Sequence, residues 1–192
     1  MIRTLFAALI ALACIPTVAA QEPAPYDVRV ELSFARASGD EGMRDELELQ
    51  LLSELRRTGC FRSIAKATDA DPGPNGETLT LNIVVTELFE ETTYDTSIAQ
   101  RADPLAPDQL ELLHTSRVIA VLSVALEHSA SGRALRSKRL RGAGAHRPRV
   151  RGDDARHAAL RQATAEAALA VRRFVCKGGA KRLRKEIEAA PR

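Results

Sequence analysis

Tryptophan is absent from the 192-residue chain, which has only two tyrosines and five phenylalanines. One of these, Phe6, lies in an amino-terminal apolar run, so little aromatic surface is left on which nucleic-acid bases could stack. Nucleic acid is therefore not an expected partner. Histidine is equally sparse: His114, His128, His146 and His157 are scattered, and no two have the His-x-x-x-His spacing that puts two ligands on one helix face. No serine sits in a Gly-x-Ser-x-Gly elbow. No motif calls for a metal or any other cofactor, and none assembles a catalytic site. After residue 15, no run approaches the roughly 18 apolar residues of a membrane-spanning helix.

The amino terminus is an address rather than a fold. Arg3 supplies a positive start, Leu5 to Ile15 is wholly apolar, Pro16 ends the run, and Val18-Ala19-Ala20 offers small residues for cleavage. Residues 1–20 read as a secretory signal peptide, which places the mature chain in the periplasm or at the outer membrane. A rival cut lies before Cys14, where Ala11-Leu12-Ala13-Cys14 loosely resembles a lipobox. The apolar run would then be short, and Ala11 stands where a larger aliphatic residue is usual. The expectation is export without lipidation at Cys14.

Cleavage after Ala20 leaves two cysteines, Cys60 and Cys176. In an oxidising compartment an even count suggests one disulfide, and only one pairing is available. Such a bond, closing most of the chain into one loop, would stabilise the fold by about 4–5 kcal/mol in chain-entropy terms. Two separate buried thiols are the alternative.

Residues 21–178 read as a single α+β domain. Tyr26 to Phe34 alternates, with Val28, Val30, Leu32 and Phe34 on one face, as a half-buried strand does. Ser38 and Glu41 have capping-box spacing ahead of a helix whose Met43, Leu47, Leu51, Leu52 and Leu55 share a face. Gly59 suits its left-handed end. Cys60 to Ile64 is a short strand, 69–77 a loop, and Leu79, Leu81, Ile83 and Val85 mark a long strand reaching toward Phe89. Residues 90–113 form a polar insertion, with one helical turn expected at 108–113. Residues 118–126 carry no charge and four β-branched side chains, the pattern of a strand inside a sheet and covered on both faces. Leu135 to Arg141 is its basic partner strand, and the glycine- and arginine-rich residues 142–152 are expected to be loop. Asp153 or Asp154 caps an alanine-rich helix striped by Leu160, Thr164, Ala167, Val171, Phe174 and Val175. Residues 179–192 are expected to be a frayed tail.

The predicted order is β-α-β-β-β-β-α, a two-layer sandwich with a mostly antiparallel sheet and two helices on one face. Up-and-down counting sends those helices in opposite directions and parts Cys60 from Cys176. On that count, either residues 142–152 cross the domain or the disulfide is wrong.

Leu51-Leu52-Ser53-Glu54-Leu55-Arg56-Arg57-Thr58-Gly59, then Cys60-Phe61-Arg62-Ser63-Ile64, then the strand ending near Glu87-Leu88-Phe89, resemble a group of small bacterial envelope proteins. These are the auxiliary lipoproteins of ABC-type lipid transport systems, with related domains such as the TolB amino-terminal domain and the CsgG curli proteins. The resemblance covers residues 45 to 175. It implies a non-catalytic accessory role at the outer membrane, with an envelope protein as partner, and it assigns no functional residue. The weak lipobox and the long 90–113 insertion depart from the pattern.

Charge is unevenly placed. Residues 21–132 hold 9 basic and 20 acidic side chains, whereas residues 133–192 hold 18 and 5. Arg133, Arg136, Lys138, Arg139, Arg141, Arg147, Arg149 and Arg151 follow one another without an acidic residue between them. Such a block either pairs with acidic elements of the same chain or forms a surface for an anionic lipid or glycan, a membrane surface included. Glu87, Glu90, Glu91 and Asp95 are the one acidic cluster that could serve acid–base chemistry, but the sequence shows none of the burial that perturbed carboxyls need, and solvated loop charge is the preferred reading. Arg151-Gly152-Asp153 spells an adhesion tripeptide, a match that 23 arginines readily produce by chance.

Overall fold

The computed structural model describes residues 24–36, 38–57, 59–68, 78–95, 114–148 and 153–189. The expected signal segment, the loop expected at 69–77, the helical turn expected at 108–113, and Arg149 and Arg151 lie outside them. Among the described residues there are five strands: β1 (Ala24–Phe34), β2 (Phe61–Lys66), β3 (Thr78–Tyr94), β4 (His114–His128) and β5 (Arg133–His146). The helices are α1 (Glu41–Arg56), α2 (Ala155–Val175) and α3 (Gly179–Glu188). The predicted order is observed, with α3 added.

One mixed sheet has the order β2-β1-β3-β4-β5. β1 pairs in parallel with both β2 and β3, while β3–β4 and β4–β5 are antiparallel and supply most of the register. The parallel half overturns the up-and-down count. β2 and β3 do not form a hairpin. The chain returns between Lys66 and Thr78, and β3 starts alongside β1 in the same sense. That one reversal makes α1 and α2 run the same way, so the disulfide needs no crossing by residues 142–152.

Three contacts tie the two helices at equivalent heights. At their amino ends Arg156 pairs with Asp40. Midway, the Thr164 hydroxyl donates to Gln50 Oε1 at 2.5 Å. At their carboxyl ends Cys60 and Cys176 are disulfide-bonded, with Cα atoms 5.8 Å apart.

The cap of α1 differs from the expected box. Asp40, not Ser38, accepts the Met43 amide at 2.9 Å. Ser38 is buried and donates instead to the Ala35 carbonyl, holding the turn that leads into the helix. Asp154 caps α2 by accepting from the His157 amide. Gly59 takes the left-handed conformation (φ 62°) foreseen for the end of α1.

The core lies between the sheet and the helices. Met43, Leu47, Leu51 and Leu55 of α1 pack with Val28, Val30, Leu81 and Ile83 of the sheet, and Ala159, Ala163, Ala167 and Val171 of α2 lie beside them. β4 is flanked by strands on both sides. Val118, Ala120, Leu122, Val124 and Leu126 are buried on its helix side. Ile119 and Val121 are also buried, on the side that none of the described helices covers.

β5 is longer than the sequence reading allowed. Gly142 and Gly144 are not loop; they are strand residues facing α2. A Cβ on Gly142 would lie 2.6 Å from the Ala167 nitrogen, and one on Gly144 would lie 2.7 Å from the Ala163 nitrogen. Glycine is required here because the helix backbone rests directly on the strand. The carboxyl-terminal stretch differs as well. α3 is a docked helix with Leu183 buried and Ile187 packed against the core, rather than a frayed tail. β3 also runs past the expected end at Phe89 to Tyr94, which takes the first residues of the predicted insertion into the sheet.

Candidate functional site

β5 is an edge strand, and its two halves are treated differently. Its register against β4 is unbroken from Arg136 to His146, so backbone groups point alternately toward β4 and away from it. In the upper half the outward amides are satisfied by α2. Ala143 donates to Glu166 Oε2 at 3.1 Å, and Ala145 to Gln162 Oε1 at 3.3 Å. In the lower half a groove of about 480 Å³ separates the strand from the end of α2 and from α3. Ser137, Arg139 and Arg141 share the outward phase of Ala143 and Ala145. No backbone hydrogen bond from them reaches beyond the sheet among the described residues.

Leu140 and Phe174, both nearly buried, floor the groove. Lys138, Arg173, Lys177 and Arg182 line it and are exposed. The one carboxylate among its described lining residues is already occupied: Glu186 accepts from Arg136 Nε through Oε2 at 3.0 Å and from Arg182 Nε through Oε1 at 2.9 Å. Arg136 Nη2 lies 2.7 Å from the same Oε2, an ionic contact without hydrogen-bond alignment. Arg136 Nη1 also donates to the carbonyls of Phe174 and Lys177. This arginine fastens α3 to the end of α2.

The basic residues singled out from the sequence are therefore not one patch. Arg136 and Lys138 face the groove. Arg139 and Arg141 project from the opposite face of the sheet, where Arg139 meets Glu87 at 2.6 Å. Arg147 lies 3.6 Å from Asp95, and Arg133 is exposed at the start of the strand. Among the described residues four ion pairs join the acidic first part of the chain to its basic last part: Arg139–Glu87, Arg147–Asp95, Arg156–Asp40 and Arg156–Glu90. Part of the charge asymmetry is used internally, through three of the eighteen cations and four of the twenty acids.

The same pairs account for three of the four residues of the acidic cluster, while Glu91 is exposed and enters no ion pair among the described residues. Glu90 is held by Arg156 Nε at 3.1 Å and by the Ser116 hydroxyl, Glu87 by Arg139, and Asp95 by Arg147. None of these acids lines either cavity seen among the described residues. The second cavity, about 250 Å³, lies between the amino ends of α1 and α2 and includes Asp40, Asp154 and Arg156. Both aspartates there are engaged as helix caps. The Met43 amide and the Arg156 guanidinium hold the Asp40 carboxyl below its ordinary pKa of 3.8.

The groove was missed in the sequence because α3 was read as a tail. Its signal was Leu183 and Ile187 four residues apart, with Glu186 the one acid close by before Glu188.

No protein-family profile and no curated protein matches the sequence. Solved structures do match the fold. Protein XCC0632 from Xanthomonas campestris, of the DUF330 family, superposes with a TM-score of 0.52 at 15% identity, over 91% of this chain and 94% of that one. A minor lipoprotein from Acinetobacter baumannii matches with a TM-score of 0.44 at 14% identity, over 78% of this chain and 91% of that one. At these identities the likeness is one of fold alone, and it does not separate the groups named from the sequence. Setting Cys14 aside as a lipid-bearing residue draws no support from these structures.

Proposed function

We propose that the chain is a non-catalytic accessory protein of the bacterial cell envelope, acting by contact with another envelope protein in a transport or assembly system. One observation supports this above the rest. Three of the four acids that could do chemistry, Glu87, Glu90 and Asp95, are held by arginines, while one face of the sheet has no described helix on it and exposes Val84 and Phe89 at 39% and 41%. Apolar side chains presented on a rigid sheet serve recognition. The DUF330 fold match and the amino-terminal export segment agree with an envelope setting, whether the chain is cut after Ala20 or lipidated at Cys14. Crosslinking in intact cells of the source bacterium, followed by purification, tests this reading. Recovery of a defined envelope protein, lost on Phe89→Glu, is expected. Recovery of no envelope component would overturn it.

A second reading has its own observation. Arg133, Lys138 and Arg141 are exposed and enter no ion pair among the described residues. They could hold an anionic lipid or glycan, or a membrane surface. Binding to anionic vesicles that falls with salt and with Arg→Glu changes at these positions is its expected outcome. Binding indifferent to both would end it.

A further inference from the structure

We propose that the lower half of the β5 edge, with the cationic groove beside it, takes an acidic extended segment of a partner protein by strand addition. This rests on the protein-contact reading above and gives that contact a place and a chemistry.

The edge supplies the first half of the case. A strand edge with open N–H and C=O groups is a template for another strand, and folded proteins normally cover or blunt it. Here the covering stops partway. Glu166 and Gln162 satisfy the outward amides of Ala143 and Ala145, whereas those of Ser137, Arg139 and Arg141 meet no such partner among the described residues. α2 rests on the strand where it carries Gly142 and Gly144, and stands off where the groove opens. An added strand would find open donors and acceptors along the Ser137–Arg141 stretch.

Charge supplies the second half and selects the occupant. Lys138, Arg173, Lys177 and Arg182 flank the groove, Arg139 and Arg141 flank the opposite face, and both oxygens of Glu186 are already taken. A second copy of β5 is excluded as occupant, since its own cations would be repelled. An acidic strand is attracted from both faces. Its alternate side chains would fall toward Lys138 and Lys177 on one side and toward Arg141, which Glu87 leaves open, on the other. Leu140 and Phe174 offer an apolar floor between the charges. The charges that protect the edge from self-pairing thus choose its partner.

The test uses the oxidised mature chain and three short peptides: alternating glutamate and valine, alternating lysine and valine, and the acidic peptide interrupted by proline. The acidic peptide should bind and slow hydrogen exchange at the Ser137, Arg139 and Arg141 amides. Lys138→Glu with Lys177→Glu should weaken it by at least about tenfold, as loss of matched charges does at interfaces. The lysine and proline peptides should bind far more weakly. Ser137→Pro removes one outward amide and should weaken strand addition alone. Equal binding of the proline peptide would reduce the contact to plain charge attraction and overturn the proposal. So would displacement of the acidic peptide by anionic vesicles acting through the same lysines, which would assign the groove to a membrane surface. Crosslinking to an envelope protein that is unchanged in the lysine variants would discard this site and leave the broader function standing.

Discussion

The Thr164 hydroxyl donates to Gln50 Oε1 at 2.5 Å, halfway along two helices that run in the same direction. Thr164 is fully buried, and this bond gives its polar atom a partner. The pair fixes the relative height of α1 and α2, and so the meeting of their carboxyl ends at Cys60 and Cys176.

Reduction of that disulfide, or Cys60→Ser with Cys176→Ser, should lower unfolding stability by about 4–5 kcal/mol, the chain-entropy value for a loop of this length. The sequence separation of 116 residues makes the effect large. Urea unfolding of oxidised and reduced protein measures it, and equal midpoints would show that the bond contributes nothing.

Gly142→Ala and Gly144→Ala should each destabilise by about 2 kcal/mol or more, because a methyl group has no space between strand and helix backbone. Gly132→Ala meets no neighbour and suffers only from its left-handed backbone (φ 64°), so it should cost less. Thermal melts of the three variants give the order directly.

Arg136→Met removes a largely buried guanidinium from Glu186 and from the carbonyls at the end of α2. A loss of about 1–3 kcal/mol is expected, since the carbonyls and part of the carboxylate lose a charged donor. Hydrogen exchange should speed up in α3, around Leu183, more than in β3. Uniform change across the fold would contradict the fastening role.

Asp40 titrates below its ordinary value of 3.8, held there first by the Met43 amide and then by Arg156. A carboxyl depressed in the folded state adds stability that is present above pH 3.8 and lost as pH falls through the lower folded value. Asp40→Asn should therefore lower the melting temperature at neutral pH, and the gap between variant and parent should close below pH 3.8. A gap constant with pH would assign the effect to capping alone.

Periodicity made the elements readable. Val28 to Phe34 and Leu79 to Val85 alternate, and the Met43–Leu55 and Leu160–Val175 stripes have helical spacing, so type and order followed from local pattern. Direction did not, because apolar alternation looks the same in parallel and antiparallel strands. A hairpin was assumed between β2 and β3, although a parallel return needs the longer connection that lies between Lys66 and Thr78. Gly142 and Gly144 misled for a related reason. Glycine pairs usually punctuate loops, and only the Ala159, Ala163 and Ala167 stripe, spaced to lie over them, marks them as contact residues. Of the site, the basic residues were legible as a group. Their division between two faces, and the commitment of Arg136 to Glu186, depended on where α3 docks.

The central position of β1 between β2 and β3 bears on how the chain assembles. Its parallel neighbours both come later in sequence, and α1 waits for α2, more than a hundred residues downstream, before its second side is covered. A chain synthesised amino end first cannot complete this domain stepwise. Cys60 arrives early and has no proper partner until nearly the whole polypeptide has followed. The bond can therefore form only once nearly the whole polypeptide is present, so oxidation marks a chain whose two ends have both arrived.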